Sequence, residues 1–176
     1  MNELNNTVNA VGNYNSIPTS LTSNTSVVTM IEGLTLTKDA DKKNWSSGNL
    51  TYKITLTNDT DNTYENPTIT DIIDTTLITF VADSVTIGGI KASASEYSYD
   101  TDSHTLTVKL PSVIAKTSSI VTFQEKKRDG FLTLKNYAIF RSNELDKLLS
   151  NTLTVISPIS KRLIDNLSCK TPYWRI

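Results

Sequence analysis

The run from residue 50 to residue 58 alternates apolar and polar side chains without a break. A β-strand points successive side chains to opposite faces, so this run predicts a strand with one apolar face. That face would be formed by Leu50, Tyr52, Ile54 and Leu56. A strand of this kind must bury its apolar face against a second layer, which limits the chain to folds built from packed sheets.

Similar short runs recur at regular intervals between residues 34 and 156, separated by turn residues, and no long helical period intervenes. This spacing predicts an all-β protein, an immunoglobulin-like antiparallel β-sandwich. Within it, Gly88 and Gly89 supply the positive φ values of a tight hairpin turn. Residues 120–123 are predicted as a strand that leads into a charged hairpin loop at 125–130, and residues 131–140 as one continuous strand.

The 176 residues have room for one good core, and we expect three parts. Residues 1–32 form a flexible arm, 33–156 the sandwich and 157–176 a docking tail. The arm has no sustained period up to residue 22, but its run 26–31 has the length of a strand that lacks a partner. The apolar residues expected to serve assembly are Val27, Val28, Met30, Ile31, Tyr173, Trp174 and Ile176.

Composition argues against several classes of function. The net charge of −1 and the pI near 5.8 offer no basic surface for nucleic acid, and no apolar run is long enough to cross a bilayer. The single cysteine, Cys169, and the single histidine, His104, leave a metal site little to use. Nucleophile and phosphate-binding motifs are also missing, so we expect neither an enzyme nor a cofactor.

Lys38, Asp71 and Asn136 each share strand parity with apolar residues, which predicts that an amine, a carboxyl and a carboxamide enter one core. Isolated buried charges are costly, so the three groups are expected to pair. Burial favours a neutral amine beside a protonated acid. In that state the Lys38 amine can attack the Asn136 amide while Asp71 polarises it and moves a proton. The product would be a Lys–Asn isopeptide bond, with loss of ammonia.

A less specific interpretation stays open. Lys38 could extend to solvent from a strand end, Asp71 could cap a turn, and Asn136 could bond to backbone. Asp74 is a weaker candidate for the acid because it has the opposite parity to Asp71.

Four motifs together resemble the conserved repeat domain of bacterial surface proteins, over residues 33–156. They are a first strand that ends in Lys38, the pattern Tyr-x-Ile-x-x-x-Asn over 52–58, a strand that ends in Asp71, and Asn-x-Ala at 136–138. Some members of that family, in pilus shafts, form internal Lys–Asn bonds with an aspartate as catalyst. By position, the resemblance implies the same roles for Lys38, Asn136 and Asp71. This chain departs from the family pattern in having one copy and no proline after residue 74.

The arm, the apolar tail and the family resemblance lead us to expect a structural subunit that polymerises with itself. The segment 23–28 loosely echoes 150–155, as if it were the last strand of a preceding domain, free to add to a neighbour's sheet edge. Such a head-to-tail contact makes filaments or rings.

Neither end of the sequence carries an export signal or a sorting motif, so the expected location is a spore surface: coat, exosporium or appendage. Other surface or spore proteins are expected as further partners. The alternatives are an adhesin-like binding module of a surface protein and a phage virion structural protein.

Overall fold

The computed structural model describes residues 2–30, 32–128 and 132–157. All regular structure in these residues is β-strand, and every strand pair with an assigned register is antiparallel. The strands are β1 (Asn2–Asn6), β2 (Asn9–Tyr14), β3 (Ile17–Thr22), β4 (Ser26–Met30), β5 (Leu34–Ala40), β6 (Asn49–Asn58), β7 (Thr68–Ile72), β8 (Ile78–Phe80), β9 (Thr86–Ile87), β10 (Ile90–Lys91), β11 (Tyr97–Asp100), β12 (Thr105–Lys109), β13 (Thr117–Lys127), β14 (Leu132–Asn136), β15 (Ala138–Arg141), β16 (Leu148–Leu149) and β17 (Leu153–Ser157).

The chain divides into two compact units, Met1–Leu34 and Thr35–Ile176. In the first unit, β1 pairs with β4, and β2 pairs with β3 as a hairpin. The hairpin turns at Asn15 and Ser16, which both have positive φ, as a two-residue primed turn requires. The predicted boundaries of the sandwich with the arm, at 32/33, and with the tail, at 156/157, stay predictions.

The second unit contains two main sheets. One has the order β10-β9-β13-β6-β5, with β8 also paired to β13, and the other has the order β11-β12-β7-β15-β16. Strands β14 and β17 form a further pair. The inward faces alternate as predicted, so the apolar face of β6 is completely buried. The predicted hairpin at 85–91 is confirmed, with Gly88 and Gly89 at φ values of 60° and 83°.

The predicted flexible arm shows no sustained sequence period up to residue 22, yet three strands occupy its described residues 2–22. The prediction that the run 26–31 lacks a partner is wrong for its described residues. Residues 26–30 form β4, which pairs with β1 so that Val28 and Leu4 are register partners. Strands β2 and β3 are exposed along almost their whole length, so no buried face imposes a period-2 signal on their sequence.

Two strand limits differ from the predictions. Strand β13 continues through residues 125–127, where the sequence predicts a charged loop, because β6 and β8 pair with it there. The predicted strand 131–140 is interrupted at Tyr137, since β14 pairs with β17 whereas β15 pairs with β7 and β16. The alternation of inward and outward side chains continues across the interruption. The inward residues on both sides of it are buried: Leu134, Asn136, Ala138 and Phe140.

Candidate cross-link site in the core

Three strands from different sheets bring the predicted residues together. In β5 the inward positions are Leu36 and Lys38, and in β7 they are Ile69 and Asp71. Asn136 ends β14, two residues before Ala138, which lies directly opposite Asp71 in the register of β15 with β7. The parity of each strand therefore directs all three side chains into the space between the sheets.

Asp71 contacts both of the other two groups. The Lys38 Nζ donates a hydrogen bond to Asp71 Oδ2, and the Asn136 Nδ2 donates one to Asp71 Oδ1 over 2.6 Å. Lys38 and Asp71 are each 2% exposed and Asn136 is 7% exposed, so these contacts are shielded from water. The less specific interpretation does not describe this arrangement, since Lys38 does not reach solvent and Asn136 bonds to a carboxylate. Asp74 is exposed and accepts bonds from Thr76 in a turn.

Two aromatic rings surround the Lys38 amine. Its Nζ lies 4.2 Å from the centroid of Tyr52 and 5.3 Å from that of Phe123, and the two rings stack on each other at 5.2 Å. An ammonium over a ring face is attracted by the ring quadrupole. The rings therefore limit where the end of the Lys38 side chain can move and exclude water from it.

Glu125 is a second buried acid near this site, and the sequence analysis missed it. It is completely buried on β13, on the same inward face as Val121 and Phe123. That shared parity was the available signal, but the charged segment that follows suggested a loop. Among the described residues, neither Glu125 oxygen nor the Tyr52 hydroxyl has a hydrogen-bond partner of ordinary geometry. The two groups are still close enough to influence each other's pKa.

Burial is the largest influence on the pKa values of the two buried acids, Asp71 and Glu125. It raises the pKa of Asp71 above its ordinary value, against the attraction of Lys38 and the bonds from Lys38 and Asn136. Burial also raises the pKa of Glu125 to about 8, with Lys38 opposing the shift and Asp71 adding to it. The pKa of the Tyr52 hydroxyl is raised by burial and by Glu125. The site thus favours protonated acids.

The residues predicted to serve assembly are only partly described. Val27, Val28 and Met30 belong to β4, whereas Ile31, Tyr173, Trp174 and Ile176 lie outside the described residues. No group of three or more His, Cys, Asp or Glu side chains that could hold a metal ion occurs in the described parts of the chain. Within 2–30, 32–128 and 132–157 no helix is long and apolar enough to cross a membrane.

No family model matches the chain, and no curated protein matches it. Among solved structures it is similar to BcpA, the major pilin subunit of Bacillus cereus, with 17% identity, a TM-score of 0.51, and coverage of 86% of this chain and 48% of that one. It is also similar to the C-terminal domain of the Streptococcus pyogenes antigen I/II-family protein AspA, with 15% identity, a TM-score of 0.52, and coverage of 78% of this chain and 50% of that one.

A third similar structure is the full-length major pilin SpaD from Corynebacterium diphtheriae, with 22% identity, a TM-score of 0.52, and coverage of 69% of this chain and 35% of that one. The chain thus spans half or less of the length of each of these three solved chains. At such identities the likeness concerns the fold alone. It confirms the predicted all-β, immunoglobulin-like sandwich, in the form found in bacterial pilins and an antigen I/II-family protein.

Proposed function

We propose that this protein is a structural subunit of a bacterial surface fibre, and that an isopeptide bond between Lys38 and Asn136 staples its sandwich. The observation that carries the proposal is the position of Asp71, which bonds to the Lys38 amine through one oxygen and to the Asn136 amide through the other. A carboxyl group placed in this way can move protons between the attacking and the leaving nitrogen.

The proposed reaction needs no co-reactant. The Lys38 ammonium gives one proton to the Asp71 carboxylate, which leaves a neutral amine beside a neutral acid. Nζ then attacks Cγ of Asn136, the Nζ–Cγ bond forms and the Cγ–Nδ2 bond breaks. A second Nζ proton passes through Asp71 to Nδ2, which leaves as ammonia, and Asp71 ends as the neutral acid. Burial already favours that neutral form of Asp71 by raising its pKa.

The bond would join the first strand of the sandwich to a late one, and would therefore enclose most of its sequence. A covalent link that closes a long loop restricts the unfolded chain most strongly. An amide link, unlike a disulfide, does not depend on the redox state of the surroundings. Such a staple suits a subunit that must bear load in a fibre.

The intact mass of the purified protein tests the cross-link. We expect a mass lower than the sequence mass by one ammonia, and the full sequence mass for Lys38→Ala, Asn136→Ala and Asp71→Ala. Asp74→Ala is the matched control, because it removes an acid three residues away that faces solvent, and it should keep the deficit. A wild-type mass equal to the sequence mass would rule the bond out.

For assembly, we propose that the N-terminal unit of one copy adds to a neighbouring copy, head to tail. One edge of strand β4 pairs with β1, and its other edge pairs with no strand among the described residues. That edge could accept a strand from a neighbouring copy. The β2–β3 hairpin adds exposed apolar side chains: Val11, Tyr14, Ile17 and Leu21 are 64–82% exposed. Exposed apolar side chains on a two-stranded hairpin favour association with another surface.

Negative-stain electron microscopy of the purified protein tests this assembly. We expect filaments for the full chain and none after deletion of residues 1–31, with the deleted protein still folded by circular dichroism. A full chain that stays monomeric at high concentration would contradict self-assembly and favour the binding-module alternative. A spore-surface location stays a prediction, and labelling of intact spores with an antibody to the protein would test it.

A further inference from the structure

Asn151 binds the backbone of the proposed nucleophile. Its Oδ1 accepts a hydrogen bond from the Lys38 N–H over 2.8 Å, and its Nδ2 donates one to the Lys38 carbonyl over 3.0 Å. Strand β5 lies at the end of the order of its sheet, so its outer backbone groups have no neighbouring strand within that sheet. The Asn151 carboxamide supplies, at Lys38, the donor and acceptor that a strand would otherwise provide.

Ser150, the preceding residue, binds the strand that follows Asn136. The Ser150 N–H donates to the Ala138 carbonyl over 3.0 Å, and the Ala138 N–H donates to the Ser150 Oγ over 2.9 Å. Ala138 lies directly opposite Asp71 and two residues after Asn136. Consecutive residues thus hold, by two hydrogen bonds each, the backbone of β5 at Lys38 and the backbone of β15 at Ala138.

This pair of contacts constrains the geometry that the reaction needs. Consecutive Cα atoms are about 3.8 Å apart, so bonds from adjacent residues leave little freedom between the two backbones that they hold. Lys38 reaches the site through a long, flexible side chain, and its anchor point therefore determines where Nζ can be placed. A displacement of about 1 Å between reacting groups can cost roughly a hundredfold in rate.

We propose that Ser150 and Asn151 form a positioning clamp that aligns β5 at Lys38 with the start of β15 at Ala138, two residues after Asn136, for formation of the isopeptide bond. Neither residue has a hydrogen bond to the reacting atoms, so the clamp acts through the backbones of Lys38 and Ala138. This inference rests on the proposed cross-link.

The test follows the loss of ammonia with time, by intact mass, in full-length protein made by cell-free translation. Asn151→Ala should slow the reaction by about tenfold or more. The matched control is Asn58→Ala, which removes another carboxamide that binds backbone carbonyls, those of Asn62, Val113 and Ile114. Asn58 is completely buried, so its loss should destabilise the fold at least as much while leaving the rate within about twofold.

A second variant and a second measurement separate positioning from folding. Ser150→Ala removes the two Oγ bonds, one from the Ala138 N–H and one to the Asn151 carbonyl, and keeps the backbone bond from the Ser150 N–H to Ala138. The variant should therefore still fold, and its isopeptide bond should form more slowly than that of Asn58→Ala. Urea midpoints of all three substitutions, measured in the Asn136→Ala background where no bond can form, give their effects on stability alone. If the rates of ammonia loss in the three variants fall in the same order as their urea midpoints, the clamp is wrong.

The outcomes distinguish the two proposals. If the wild-type protein never loses ammonia, the cross-link fails and the clamp fails with it. If the wild-type protein reacts and Asn151→Ala reacts as fast as Asn58→Ala, the clamp is wrong and the cross-link stands. Slow reaction of Asn151→Ala and Ser150→Ala beside an unaffected Asn58→Ala supports both.

Discussion

The Asn136 Nδ2 lies 2.6 Å from Asp71 Oδ1, and the second oxygen of the same carboxylate accepts the Lys38 amine. One carboxyl group therefore connects strands from three sheets inside a core that is otherwise largely apolar. Burial of an amine, an acid and an amide costs free energy even when they pair. The proposed cross-link would explain why these groups are present in the core, and the following predictions test the energetics of the site and of the fold around it.

Asn136→Ala should lower stability strongly. The substitution removes the proposed covalent link and also the hydrogen bond to Asp71, so we expect a loss of about 3–5 kcal/mol, comparable to removal of a native disulfide. Urea unfolding of the variant and the wild-type protein measures the difference. A loss under about 1 kcal/mol would be too small even for the buried hydrogen bond and would contradict the contact itself.

Glu125→Gln should stabilise the protein at high pH and not at low pH. The pKa of Glu125 is raised from 4.5 to about 8, chiefly by burial, so the folded state holds a proton that the unfolded state releases between these values. Stability therefore falls as pH rises from about 4.5 to about 8 and then levels off. Glutamine cannot ionise, so the advantage of the variant should grow through this window to a few kcal/mol.

This comparison is best made in the Asn136→Ala background, where Lys38 keeps a free amine whatever the fate of the cross-link. Thermal unfolding is measured at a series of pH values between about 4.5 and about 8, the range set by the raised pKa of Glu125. The chain that keeps Glu125 is compared with the chain that carries Glu125→Gln. A difference in Tm that is constant with pH would show that Glu125 does not titrate as described.

Tyr52→Phe should leave stability unchanged or raise it slightly, within about 1 kcal/mol. The Tyr52 hydroxyl is buried and makes no hydrogen bond of ordinary geometry among the described residues, although Glu125 lies close enough to raise its pKa, so its removal loses at most a weak contact. The ring that packs over the Lys38 amine is retained. Chemical denaturation of the two proteins measures the effect, and a loss above about 2 kcal/mol would reveal a strong partner for the hydroxyl, such as Glu125 or a buried water.

Gly89→Ala should cost about 1 kcal/mol through backbone strain alone. Gly89 has a φ of 83°, and a Cβ placed there would meet no atom within 4 Å, so steric contact adds nothing. Gly12→Ala is the matched control, because Gly12 also has open space around its Cβ position but no positive φ. Equal effects of the two substitutions on the urea midpoint would contradict this assignment of the cost.

Much of the site could be predicted because side-chain parity is a local property. In a strand, the neighbours two positions away decide which face a residue occupies, and Lys38, Asp71 and Asn136 each share a face with buried apolar residues. Glu125 obeys the same rule, with Phe123 two positions before it. It was missed because the sequence offered no way to see that β6 and β8 extend β13 past the end of its apolar run.

The sequence by itself determined the alternating faces, the glycine turn of the β9–β10 hairpin and the polar residues that enter the core. Only the tertiary structure decided the partner of β4, the interruption at Tyr137 and the contact of Asn151 with Lys38. The physical reason is the range of the interactions. Parity and turns depend on neighbouring residues, whereas pairing brings together segments distant in sequence through backbone groups that are the same in nearly every residue.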